Sequence, residues 1–154
     1  MKMKGLCMLV ALSLLAISCD NDDNGNKDKN PEPSSVTLLD SQVTMAADGT
    51  FTVNFRVEPT NYVVTKDAVG LITTTWESPL DIQDNGMPVA TVTAIEAGQL
   101  AGTIDPGRWV AHCKMNSTTG FEWAGMKLTV YTYDKNHNLQ AATEAPGTVS
   151  VLVP

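Results

Sequence analysis

Cysteine is scarce in this chain, and its three copies do not form a set that can pair. Cys7 lies inside an apolar run at the start, Cys19 directly follows that run, and Cys113 stands alone far downstream. A disulfide framework needs an even set of thiols left in the folded part. Stability must therefore come from core packing, with Cys113 expected as a small buried apolar residue. Positive charge is short as well: 10 Lys and Arg face 17 Asp and Glu, a net charge of −7. Binding a phosphate backbone relies on basic side chains to neutralise it, so nucleic acid is excluded as an expected partner.

Histidine is limited to His112 and His137, which sit in different elements and in no nucleophile motif. His112 and Cys113 are neighbours, and neighbours in a strand point to opposite faces, so they do not make a thiolate–imidazolium pair. Zinc needs three or four clustered ligands, which two histidines and a core-facing cysteine do not supply. Glu77, Asp81 and Asp84 lie close in sequence, but an acidic chain produces such groupings by chance, and they read as a solvated loop. No catalytic residue, metal or cofactor is expected, and the chain reads as a non-enzyme.

Long apolar runs are also missing. Leu6 to Ile17 covers about a dozen residues, short of the roughly 20 that a helix needs to cross a bilayer. With Lys2 and Lys4 before it and small residues after it, the run reads as a signal peptide over residues 1–18. Ala16-Ile17-Ser18-Cys19 resembles the lipobox of bacterial lipoproteins, with Leu15 one step earlier than the usual leucine. The acidic residues after Cys19 resemble the surface-export tag of Bacteroidetes-type lipoproteins. That resemblance implies a lipid such as palmitate on Cys19 and attachment to the bacterial outer membrane, with the chain exposed at the cell surface or, as the alternative, facing the periplasm. Acyl chains contribute about 0.8 kcal/mol per buried methylene, so several on one residue hold a domain at a membrane without a spanning helix. Residues 19–34, polar and acidic, then form a flexible tether. Loss of the leader removes Lys2 and Lys4, leaving eight basic against 17 acidic residues and a charge of −9.

Downstream, the pattern has period two and no convincing helical period. In "TFTVNFRVE", Phe51, Val53, Phe55 and Val57 share one face. In "GRWVAHCKM", Trp109, Ala111, Cys113 and Met115 do the same, which makes Trp109 a core residue. Met126, Leu128 and Val130 form a third such set, and Val149, Val151 and Val153 a fourth. Less regular strands are expected at Val36–Ala46, Ala68–Trp76 and Val89–Ile95, with Trp76 at a strand end. Turns are expected at Asp48-Gly49, Asn85-Gly86, Asp105-Pro106-Gly107 and Pro146-Gly147. Seven to eight short strands over residues 35–154 predict an all-β fold, a single β-sandwich. "FRVEPTNYVV", the Thr-rich stretch ending at Trp76 and "DPGRWVAHCKM" resemble bacterial immunoglobulin-like modules, which implies an immunoglobulin-like sandwich but no activity.

Two stretches open like calcium loops. Asp20, Asp22, Asn24 and Gly25 fit, but Pro31 occupies the position of the closing acid. Asp134, Asn136 and Asn138 fit again, with Leu139 in place of the turn glycine and Ala145 in place of the acid. The first reads as an acidic tether and the second as a hairpin loop. The remaining candidate is aromatic. If Phe121 to Tyr133 is one strand, then Phe121, Trp123, Tyr131 and Tyr133 share the face opposite Met126, Leu128 and Val130. Flat rings with polar edges suit glycan or protein binding. A bulge at Gly125 would instead turn Phe121 and Trp123 inward, and cross-strand packing under a covering loop is a third arrangement. The expected role is a lipid-anchored binding or accessory module, with glycan capture through the aromatics. The alternatives are a protein-docking or structural subunit of an envelope assembly, or an inhibitor-like binding domain; a small hydrolase has least support.

Overall fold

The computed structural model describes residues 32–77, 87–116 and 121–154. The expected signal peptide, Cys19, all but the last few residues of the tether, the Asn85-Gly86 turn, Asp81 and Asp84 lie outside them. Nine strands occur within the described residues: β1 (Ser35–Leu38), β2 (Gln42–Thr44), β3 (Thr50–Glu58), β4 (Val69–Glu77), β5 (Ala90–Leu100), β6 (Thr103–Met115), β7 (Trp123–Tyr133), β8 (Leu139–Glu144) and β9 (Val149–Leu152). One 3-10 turn, Lys66–Ala68, precedes β4.

The strands form two sheets. One has the order β1-β3-β6-β5; the other has the order β2-β9-β7-β4, with β8 also pairing β7. β2 joins β9 in parallel, and the other pairings are antiparallel. These are the two strand orders of an immunoglobulin-type sandwich, with the first strand shared between the sheets. The all-β sandwich expected from the sequence is therefore the fold.

The strand count exceeds the seven to eight expected because one expected strand is interrupted and β8 falls where no strand was expected. The stretch 36–46 divides at Asp40, whose Oδ2 accepts from the backbone N–H of Asn54 at 2.7 Å and from its Nδ2 at 3.0 Å. The carboxylate takes over where the main-chain ladder to β3 would have continued, and the chain crosses to β9. β8 is separated from β9, the expected last strand, by residues 145–148, where Gly147 takes φ +81°. Ser34 N–H donates to the Glu58 carbonyl at 2.7 Å, so pairing with the sandwich includes the last residue assigned to the tether.

One expected turn is not a turn. Asp105-Pro106-Gly107 lies inside β6 as a large bulge, with Ala97 opposite Trp109 and Gln99 opposite Ile104. The reversal between β5 and β6 is instead Ala101-Gly102, at φ +53° and +84°, the pair of positive angles that a two-residue hairpin turn requires. Arg56 holds the bulge: its Nη2 donates to Asp105 Oδ2 at 2.5 Å and its Nη1 to the Pro106 carbonyl at 3.1 Å. A side chain at Gly107 would press on the Val57 carbonyl, so glycine with φ +87° is needed there.

The core is the set of inward positions that alternation predicts. Phe51, Val53, Phe55 and Val57 from β3, Ala111, Cys113 and Met115 from β6, and Ala124, Met126, Leu128 and Val130 from β7 are all buried in one cluster. Val149 and Val151 join them, with Trp109 and Val153 partly buried at the margin. Phe55→Ala should cost about 3–5 kcal/mol through lost burial and a cavity, whereas Thr52→Ala on the outer face should stay within about 0.5 kcal/mol. Urea denaturation of both variants checks the contrast.

Candidate functional site

The four aromatic residues do not converge on one platform. Phe121 precedes β7 and is 5% exposed within the core cluster, so the expectation that it shares the outer face is corrected. The chain leaves strand geometry before Trp123, and alternation does not extend back to Phe121. No bulge occurs in β7 at Gly125; the irregularity lies opposite, in β4 between Thr73 and Thr75. Trp123 therefore stays on the outer face, paired with Glu77 across the strands. Its Nε1 donates to Glu77 Oε1 at 2.7 Å, so the polar edge of the indole is already engaged.

Tyr131 and Tyr133 lie eight and ten residues further on, and eight residues of strand span about 27 Å. Their ring centroids are 6.5 Å apart with planes tilted by 39°. Tyr131 is half-buried because its ring lies over Gly70 of β4: a methyl there would meet Cε2 at 3.0 Å. Tyr133 is 46% exposed, and Leu139 of β8, its cross-strand partner, 57%. Ile72 of β4, also outward, is 49% exposed. Tyr131, Tyr133 and Leu139 thus give one end of the outer β4-β7-β8 face an aromatic and aliphatic surface, while Ile72 lies opposite Lys127 nearer its middle. Between that end and Trp123, Lys127 Nζ donates to Glu144 Oε1 at 3.0 Å.

The other sequence candidates resolve into structural roles. Cys113 is buried, its thiol 3.6 Å from the Ala111 carbonyl, and burial pushes its pKa up to about 12. It is a protonated thiol, not a nucleophile. His112 lies on the outer face with Nε2 2.6 Å from Glu96 Oε1, away from Cys113. Trp109 turns inward as expected, with its indole N–H buried and unpartnered. Trp76 is exposed at the end of β4. Among the described residues, no group of three or more His, Cys, Asp or Glu is arranged to hold a metal ion.

The loop over residues 134–138 uses its carboxylate on itself. Asp134 Oδ1 accepts from the N–H groups of Asn136 at 2.7 Å and Asn138 at 2.9 Å, and Oδ2 accepts from Asn138 Nδ2 at 3.2 Å. This is an Asx turn closing the β7–β8 hairpin, with His137 at φ +67°. Sequence reading missed the pairing of Tyr131 with Gly70 and the Arg56 clamp on the β6 bulge. Both depend on strand register, which one sequence does not display.

No protein-family model matches the chain, and no curated protein matches it. Its class rests on the fold, a β-sandwich of immunoglobulin-type strand order.

Hydrogen bonds from Asn138 foremost, and from Asn136, hold the Asp134 carboxyl below the usual carboxylate range. Its contribution to the hairpin is complete above the ordinary pKa and is lost as pH falls through the lower folded value. An NMR titration should give the Asn136 and Asn138 amide shifts a midpoint below about 3.9. In Asp134→Ala the transition should vanish.

Proposed function

We propose that this chain is a non-catalytic binding module of the bacterial cell envelope, lipid-anchored through Cys19. On this reading its ligand is held at the Tyr131–Tyr133 end of the outer β4-β7-β8 face. The observation that carries the reading is the tyrosine pair itself. Gly70 gives Tyr131 a floor, and Tyr133 stands beside it with nearly half its surface in water. Two tilted rings with phenolic edges offer a sugar both apolar faces and hydrogen-bonding tips. A glycan is accordingly the first ligand class. Leu139 favours a second reading, a protein partner, because its exposed aliphatic side chain stands across from Tyr133. The anchor rests on the sequence alone: a basic start, a short apolar run, small residues and Cys19 before an acidic stretch.

Two experiments test these claims. Metabolic labelling with radioactive palmitate in a bacterial host should mark the chain, and Cys19→Ser should abolish the label; a label that survives the substitution refutes the anchor. A glycan array probed with the full chain in detergent should give saturable binding. Tyr133→Ala should weaken it by about tenfold or more, a loss of at least 1.4 kcal/mol, and Gly70→Ala should weaken it less by lifting the Tyr131 ring. Trp123→Ala should leave binding unchanged. An array without hits removes the glycan reading, and loss of binding in Trp123→Ala but not Tyr133→Ala moves the site to the other end of β7.

A further inference from the structure

Among the described residues, Leu100 is the most exposed large hydrophobic side chain, at 61%, and Ile104 stands near it at 54%. They flank the Ala101-Gly102 turn that joins β5 to β6. Beyond the bulge at residues 105–107 this hairpin leaves the sheet. β3 follows β6 only as far as the opposed pair Arg56 and Arg108, whereas Thr103 and Ile104 pair with β5 alone. Every residue from Gln99 to Ile104 is exposed, and a side chain at Gly102 would meet no heavy atom within 4 Å. The tip is a two-stranded ribbon projecting into open space.

The ribbon is held at its base and uncharged at its end. Arg56 clamps Asp105 and the Pro106 carbonyl. The stem of Arg108 lies against Gly98, where a methyl would sit 2.5 Å from Arg108 Cγ. No charged residue occurs from Ala97 to Ile104. The acids that border this stretch are engaged, Asp105 with Arg56 and Glu96 with His112. The chain also enters the sandwich at this end. Ser34 N–H donates to the Glu58 carbonyl, and a side chain at Gly107 would press on the carbonyl of Val57, one residue earlier on β3. A segment of about 15 residues joins Cys19 to Ser34 and spans at most about 50 Å.

We propose that the tip of the β5–β6 hairpin inserts Leu100 and Ile104 into the lipid interface of the membrane that anchors the domain. The inference rests on the anchor at Cys19 proposed above and makes no use of the tyrosine pair. Three observations select lipid as the occupant. Successive strand residues point to opposite faces. Ile104 lies opposite Gln99 and Leu100 opposite Thr103, so the two aliphatic side chains sit on opposite faces of the ribbon. A protein surface covers one face of a ribbon, whereas fluid headgroups and acyl chains close around both. These same pairs already join the two strands, so few main-chain groups lose water on insertion. Finally, the chain enters the sandwich at the end that bears the tip, and its tether confines the domain near the bilayer. A contact too small to hold a free protein then becomes an intramolecular one, with a strength that follows the apolar area buried.

The test uses residues 19–154, which hold the whole core cluster, with Cys19→Ser. An N-terminal oligohistidine ties them to phosphatidylcholine vesicles containing nickel-chelating lipid. The tether is thus supplied chemically, and the outcome stands apart from acylation of Cys19, which the palmitate label reads. Thr103→Cys at the tip carries an environment-sensitive nitrobenzoxadiazole label, and buried Cys113 does not compete for it. Its emission should shift to the blue on the vesicles and be quenched by lipid bearing a shallow spin label. Leu100→Asp combined with Ile104→Asp should abolish both effects and leave the Tm unchanged, since neither side chain belongs to the core. The same label at Thr52→Cys, on the outer face of β3, should report no change. An unshifted Thr103 label would overturn the proposal and leave the tip to a protein partner. A shift that survives the double substitution would overturn it, and so would an equal shift at Thr52, the mark of general adsorption. A Thr103 shift that grows with protein concentration without lipid would make a second copy the occupant and overturn it too.

Discussion

Everything in this domain depends on the apolar layer between its two sheets, because no covalent bond shares the work. Cys113 is the one cysteine among the described residues, and it is buried as a packing element. The layer is supplied chiefly by the three long, heavily buried strands β3, β6 and β7, each contributing every second side chain. A fully buried Phe, Leu or Val contributes about 1.5–3 kcal/mol relative to exposure, so such rows carry the cohesion that disulfides supply in many small exported domains. The same demand makes register unforgiving. A slip of one residue in β7 would expose Met126, Leu128 and Val130 and bury Lys127.

The inner faces are committed to the core, and the two outer faces differ in chemistry. The outer face of the β2-β9-β7-β4 sheet carries the tyrosine pair at one end and the Trp123–Glu77 pair at the other. That of the β1-β3-β6-β5 sheet carries both arginines, His112 and Lys114.

The β6 bulge shows how local chemistry and tertiary contact divide the work. Asp-Pro-Gly is a turn sequence by every local criterion, and here it makes no chain reversal. Arg56 reaches from β3 to hold Asp105 and the Pro106 carbonyl, and Ala101-Gly102 takes the reversal instead, so β5 and β6 pair on both sides of the bulge. A turn motif specifies a backbone shape; whether that shape ends a strand depends on what lies across from it. The same holds for Asp40, whose carboxylate ends β1 by capturing the amide of Asn54, fourteen residues away in sequence.

Alternation made the sandwich legible from residues alone. A period of two fixes which side chains can share a face, and the inward sets around Phe55, Cys113 and Leu128 are the ones the pattern named. The hairpin loop at Asp134 was legible for the same reason, since an Asx turn is built from residues within four positions of one another. Phe121 was misplaced because period two holds only inside a strand, and β7 begins two residues later. The Tyr131–Gly70 contact and the Arg56–Arg108 pair were beyond reach, because cross-strand neighbours are set by register between distant segments. The sequence by itself determined the faces of each strand. Tertiary structure alone decided which faces meet, because pairing partners are chosen by the packing of the whole core.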